Sequence, residues 1–256
     1  MYDTFSVDYD RFVNWEERLA YEMPFIESLI HSLAPSHGQT LDILDTACGT
    51  GMHAVTLAKE GHRVSAADLF PQMVEKGVEN ARHAGVNVHF ETVGLGDLRQ
   101  SFGAEKFDLL LCLGNSLPHL ITDKALANAL VDFATVLRPG GMLLIQNRNF
   151  DSVMRSQLRW MEPQTHLAEK SEWIFQRFYD FLPGGLIRFN IVTLKRRGDS
   201  GWHARVVSTL LSPQLHDPLK RQLTRAGFKQ IKSFGSMEGE EFSAETSGNL
   251  ILTAVK

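Results

Sequence analysis

Cysteine is nearly absent from this chain: of 256 residues only two, Cys48 and Cys112, carry a thiol. They stand apart, without the paired spacing of a zinc site, and are too few for a disulfide-stapled scaffold. Both are read as reduced packing residues, and no metal is expected. No uninterrupted apolar run approaches the ~18 residues that a membrane-spanning helix needs. The N-terminal MYDTFSVDYDRF also lacks a basic segment followed by an apolar core. These absences predict a soluble, cytoplasmic protein with no membrane partner. Net charge is small too, 26 Lys and Arg against 30 Asp and Glu giving -4, so no nucleic-acid partner is expected. Internal repeats and low-complexity tracts are missing. A small-molecule substrate fits this surface best, and association into a homo-oligomer is left open.

What is present is a chain with 43% hydrophobic residues, enough for one sizeable α/β domain with an elaboration. Residues 41–72, LDILDTACGTGMHAVTLAKEGHRVSAADLFPQ, read as strand, loop, helix and strand. Leu41, Ile43 and Leu44 form a short apolar run, and a helix-favouring segment begins at Met52 after a loop of small residues. Gly49 and Gly51 permit positive φ and bring backbone N–H groups close to a ligand, beside the positive end of the helix that follows. The second strand ends in Asp68, placed to accept hydrogen bonds from a ribose diol.

Two ligands suit this geometry. Gly49, Gly51 and Ala54 also satisfy G-x-G-x-x-G/A, with Asp68 nineteen residues beyond Gly49, so the fingerprint alone admits NAD. Asp45 and the phase of the loop tip the balance. In dinucleotide folds the first glycine follows the strand directly, whereas Asp45-Thr46-Ala47-Cys48 intervenes here. An acid at that place repels a pyrophosphate but suits a ligand carrying an ammonium and a sulfonium. At this point the sequence resembles the class I S-adenosyl-L-methionine (SAM) dependent methyltransferases, whose first motif reads D/E-x-G-x-G-x-G. The match is Asp45-Thr46-Ala47-Cys48-Gly49-Thr50-Gly51, with Ala47 in place of the first glycine. The loop there is therefore expected to adopt a conformation that alanine tolerates.

Helical spacing of Phe12, Trp15, Leu19 and Met23 predicts one or two helices before residue 40. Tyr9 and Arg18 either reach the carboxylate end of the ligand or serve as a core cap and a solvated helix charge. Strands are expected at 63–67, 86–93, 107–113, 142–146, 228–234 and 250–255, with helices at 72–84, 125–137 and 215–226. Asp97 follows the third strand, as an adenine partner or a turn cap. Between 147 and 213 the alternation gives way to three β-leaning segments, 173–182, 186–195 and 202–211, read as an inserted antiparallel meander. Its Trp173, Phe175, Phe178 and Phe181 either roof a substrate pocket or pack the insert. The acidic stretch 236–248 reads as a solvated loop.

The whole pattern resembles the Rossmann-like seven-stranded methyltransferase sheet: an α/β fold with N-terminal helices (1–40), a SAM-binding core (41–146 and 213–256) and an inserted β meander (147–212). Three passages narrow the likeness. Residues 45–51, Leu113-Gly114-Asn115-Ser116-Leu117-Pro118-His119-Leu120 and Asn147-Arg148-Asn149-Phe150-Asp151 resemble passages of glycine and sarcosine N-methyltransferases. That resemblance implies SAM as cofactor, S-adenosyl-L-homocysteine as its product, and an amine or amino-acid nitrogen as acceptor. It implies that Asp45, Ala47, Gly49, Gly51, Asp68, Leu69, Met73, Asp97, Leu98 and Leu113 belong to the SAM site, with Tyr9 and Arg18 at its carboxylate. Asn115, His119 and Arg148 then face the acceptor as catalytic candidates. A base role for His119 competes with that of a wall residue, and substrate contact by Arg148 competes with a salt bridge to Asp151 or Glu172. The departures, Gln146-Asn147 before the arginine and Pro118, bear on the acceptor. Alternatives are a SAM-binding protein without transferase activity and an O-methyltransferase of a small acid or phenol.

Overall fold

Near-continuous burial along the central strands decides the architecture. The computed structural model describes residues 9–33, 39–168 and 170–256. A helical turn at 9–12 leads to α1 (Trp15–Leu33), whose Met23, Phe25, Ile26 and Ile30 are buried. Then follow β1 (Asp42–Thr46), α2 (Met52–Lys59), β2 (Arg63–Asp68), α3 (Pro71–Ala84), β3 (Val88–Thr92), α4 (Leu98–Phe102) and β4 (Phe107–Cys112). The core resumes with α5 (Asp123–Val136) and β5 (Leu137–Arg148), and closes with α7 (His216–Arg225), β10 (Lys229–Phe234) and β11 (Asn249–Val255). Between β5 and α7 lie α6 (Phe150–Ser156), β6 (Gln164–Ala168), β7 (Ser171–Phe181), β8 (Ile187–Arg197) and β9 (His203–Leu211).

Seven strands form one sheet in the order β10-β11-β5-β4-β1-β2-β3, and β6-β7-β8-β9 form a second, antiparallel sheet of four. Strands β3, β2, β1, β4 and β5 run parallel, while β11 is antiparallel to both β5 and β10. Helices cover both faces of the parallel part, so β4 is apolar at every position but Asp108. Leu110 and Cys112 join Phe133 of α5 and Leu219 of α7 on one face, while Leu109 and Leu111 join Ile26 of α1 and Leu57 of α2 on the other. The strand order reverses at β1 and β4, the place where open α/β sheets open a crevice at their carboxyl edge. Thr46, Asp68, Cys112 and Arg148 all end strands there.

Four features differ from the sequence expectation. Arg138-Pro139-Gly140-Gly141, a sequence that reads as a turn, belongs to β5 instead: Arg138 pairs with Asp108 and Asp42 at 2.6 and 2.7 Å, holding the segment to the sheet. The short α4 was hidden by its length; Asp132 of α5 accepts from the N–H groups of Leu98 and Arg99 at its start. The insert contains a fourth strand, β6, and the helix α6, capped by the Asn149 side chain. The acidic stretch near the C-terminus is not loose, because Asn149 Nδ2 donates to the carbonyls of Ser243, Ala244 and Ser247. No helix among the described residues is long and apolar enough to cross a membrane.

Candidate active site

The loop after β1 is built from left-handed residues. Ala47, Gly49 and Gly51 have φ of 53°, 57° and 74°. Ala47 therefore occupies the left-handed region, which alanine can adopt at a cost of about 1 kcal/mol that glycine does not bear. At Gly51 a Cβ would stand 2.9 Å from the Phe90 ring, so glycine is needed there for space as well as for φ. Gly49 N–H donates to Asp68 Oδ2 and Phe70 N–H donates to Asp68 Oδ1, each at 2.9 Å. This braces the loop against the end of β2.

Beneath the loop Asp45 is 2% exposed, and its Oδ2 has no hydrogen-bond partner among the described residues. Burial pushes its carboxyl up to about 6, against the opposing pull of His53 and Arg18. A buried carboxylate oxygen left open in this way suits a cationic donor supplied from outside the chain.

A cavity of about 460 Å³ spans the carboxyl edge over this loop, a size suited to a small organic ligand. Of the residues singled out in the sequence, Tyr9, Ala47, Gly49, Asp68, Leu69, Met73, Asp97 and His119 line it. Asp97 is exposed and accepts from the Gln100 side chain, and its carboxylate makes no capping bond to the backbone at the start of α4. Leu98 and Leu113 lie instead in the two apolar cores flanking the sheet. Sequence reasoning missed Phe70, Leu95, Ser116 and Thr209 on this wall. Phe70 and Leu95 lie beside motif residues; Thr209 arrives from the insert and had no local signal.

A second cavity of about 220 Å³ shares Tyr9, Gly114 and His119 with the first. Here Arg18 Nε donates to both Glu22 carboxylate oxygens, at 3.2 and 3.1 Å, and His53 Nε2 lies 2.7 Å from Glu22 Oε2. Gln146 Nε2 donates to Glu22 Oε1, and Gln146 Oε1 accepts from Gly114 N–H at 2.9 Å. Glu22 and His53 carried no signal of their own beyond the i,i+4 spacing of Arg18 and Glu22, while Gln146 was marked only as a departure before the arginine. Asn115, at φ 68°, accepts the Arg148 N–H through Oδ1 at 3.0 Å.

Arg148 lines this cavity without an ion pair among the described residues. Its two expected structural partners are engaged elsewhere: Asp151 Oδ2 accepts from His216 N–H, and Glu172 pairs with Arg196 at 2.6 Å. Burial lowers the His119 imidazole to about 4, so it stays neutral near pH 7. Both cysteines are buried and free, with thiols pushed up by burial, Cys112 to about 12. They pack and do not attack. Trp173 and Phe175 also pack, in a cluster with Phe12 and Tyr9, while Tyr179 and Phe189 face the smaller cavity.

Residues 43–141 match the methyltransferase domain family. Over 246 residues the chain is 26% identical to the glycine/sarcosine N-methyltransferase of Parasynechococcus marenigrum (strain WH8102), covering 92% of this chain and 78% of that protein. It is 28% identical over 233 residues to the glycine/sarcosine/dimethylglycine N-methyltransferase of Actinopolyspora halophila, covering 90% of this chain but 38% of that longer protein. A SAM-dependent methyltransferase of Clostridium acetobutylicum ATCC 824 shares the fold with a TM-score of 0.77 and 16% identity, over 99% of this chain and 98% of that one. With the motif loop, the strand order and these matches in agreement, residues 43–141 form a methyltransferase domain, and the chain is a SAM-dependent methyltransferase.

Proposed function

We propose that this methyltransferase acts on the nitrogen of a small amine or amino acid held in the smaller cavity. The carrying observation is Arg148, a cation without an ion pair among the described residues, set beside Asn115 on the wall of the smaller cavity. A guanidinium in that position suits an acceptor carboxylate, which it grips through two parallel hydrogen bonds. In this reading Asp68 holds the ribose, Asp97 faces the adenine, and the loop from Ala47 to Gly51 wraps the rest of SAM. Arg18 and Tyr9 take the SAM carboxylate, and Asp45 answers its ammonium. Residues 147–212 act as the acceptor-side insert. Bound SAM would supply an electrophilic methyl group on a sulfonium.

The chain's own task is alignment, because a neutral amine already carries the attacking lone pair. Asn115 Oδ1 accepts an acceptor N–H, turning that lone pair away from itself. Nitrogen is favoured over oxygen by what the cavity lacks. Glu22 is held by Arg18 and His53, and an imidazole as weakly basic as His119 is a poor base for a hydroxyl. The glycine/sarcosine N-methyltransferase relatives support the same acceptor atom. Incubation with methyl-labelled SAM and separate pools of amines, amino acids, phenols and carboxylates tests it. Label is expected in the nitrogen-bearing pools. Label confined to phenols or acids, or SAM binding without transfer to any pool, overturns the proposal.

A further inference from the structure

The smaller cavity contains more positive charge than an amino-acid carboxylate requires. Glu22 is its only acidic side chain among the described residues, and that carboxylate is occupied by Arg18, His53 and Gln146. Two guanidiniums remain, Arg148 at the end of β5 and Arg177 on β7, and neither has an ion pair among the described residues. Arg177 is half-buried, with its guanidinium 5.0 Å above the Phe12 ring and its Nε enclosed without a hydrogen-bond partner among those residues. The two are close enough that Arg148 adds to burial in disfavouring the charge on Arg177. Tyr179, two residues along β7 on the same face, feels both of them. Asn147 shares the cavity wall at 1% exposure, and both its Nδ2 and its Oδ1 lack partners.

The enclosed donors on Arg177 and Asn147 are costly unless a ligand satisfies them, and the exposed guanidinium of Arg148 adds a like charge beside them. One carboxylate would neutralise one guanidinium and leave the other facing it. Two acidic groups on one small molecule would satisfy both.

We propose that Arg148, Arg177 and Asn147 form a subsite for a doubly anionic amine, a small acceptor carrying two carboxylates or a carboxylate and a phosphate. This rests on the amine reading above and narrows it. Arg148 takes one acidic group and Arg177 the other, while the Asn147 amide fills the remaining hydrogen-bond positions between them. The site then selects by charge, and a singly charged amino acid is the weaker substrate.

The test uses the full-length protein with aspartate, iminodiacetate, O-phosphoserine, glycine, sarcosine and ethanolamine. Methyl transfer from SAM is measured, and binding of each amine to the protein saturated with S-adenosyl-L-homocysteine is measured by calorimetry. At least one of the doubly anionic amines is expected to exceed glycine by about tenfold or more in kcat/KM. Replacing Arg177 by Met should remove that advantage through KM, leaving glycine and S-adenosyl-L-homocysteine affinity within about threefold; R177K should keep part of it. The contrast between aspartate and O-phosphoserine distinguishes a second carboxylate from a phosphate. Equal or better use of glycine, or an R177M loss that is uniform across acceptors, overturns the proposal while leaving the amine reading standing. If no amine is methylated, the amine reading falls. The subsite then stands or falls on whether iminodiacetate binds and R177M abolishes that binding.

Discussion

Arg18 donates from one nitrogen to both oxygens of Glu22, one turn further along the same helix, and His53 closes on that carboxylate from α2. The Glu22 carboxyl is 3% exposed, and its pKa is lowered by these partners despite its burial. Removing one partner of a buried pair leaves an unmatched charge behind. Arg18→Met should therefore lower stability by about 2–4 kcal/mol and weaken SAM binding at least about tenfold. Arg18→Met with Glu22→Gln should recover much of the stability and none of the affinity. Urea unfolding and calorimetry separate the two effects, and a double variant no more stable than the single one would refute the pairing.

Ala47 offers a gain. Its φ of 53° lies in the left-handed region, which glycine enters without a side-chain penalty. Ala47→Gly should stabilise the protein by about 0.5–1 kcal/mol, the unfolded-state entropy of glycine offsetting part of the relief. Gly51→Ala should do the opposite, because its methyl would press on the Phe90 ring. Thermal unfolding measures both, and a destabilised Ala47→Gly variant would show that the strain is not there.

The contrast between those two positions shows what the sequence made legible. The spacing of Asp45, Gly49, Gly51 and Asp68 records a backbone problem that few residue types solve, so the SAM-side loop and the parallel sheet around it were readable. The apolar runs of β1 and β4 likewise have one stable place, between two helical layers. The smaller cavity depends on residues distant in the chain: Glu22 from α1, Gln146 from β5 and Arg177 from β7. None of these has a local pattern that separates a cavity wall from a solvated face. The strand β6 escaped for a related reason, being a short outer strand with little apolar alternation to announce it.

The raised Asp45 carboxyl gives a pH dependence with a definite sign. Its value is about 6 in the folded state, against 3.8 for an ordinary Asp, so the folded protein binds this proton more tightly than the unfolded chain. Raising the pH from about 4 to about 6 should therefore remove stability from the ligand-free protein, up to roughly 2–3 kcal/mol above that window. Asp45→Asn should flatten this dependence and stabilise the ligand-free protein near pH 7, while SAM affinity falls at least about tenfold. Chemical unfolding across pH 4–8 and calorimetry with SAM test it. An Asn variant that is less stable at pH 7 would contradict the assignment.

His119 stands where the two cavities meet, the place in which a catalytic base would be sought. Its lowered pKa of about 4 makes it neutral throughout the working range and too weak to hold a proton taken from an amine. The rise of kcat/KM with pH should then follow deprotonation of the acceptor itself, with an inflection that moves when the acceptor amine is changed. His119→Asn retains hydrogen-bonding capacity and should lower kcat by less than about tenfold, whereas loss of a true general base costs about a hundredfold or more. The variant's pH profile should keep its shape. If instead the inflection stays constant across acceptors of different basicity and vanishes in His119→Asn, the imidazole is the base and the alignment mechanism is incomplete.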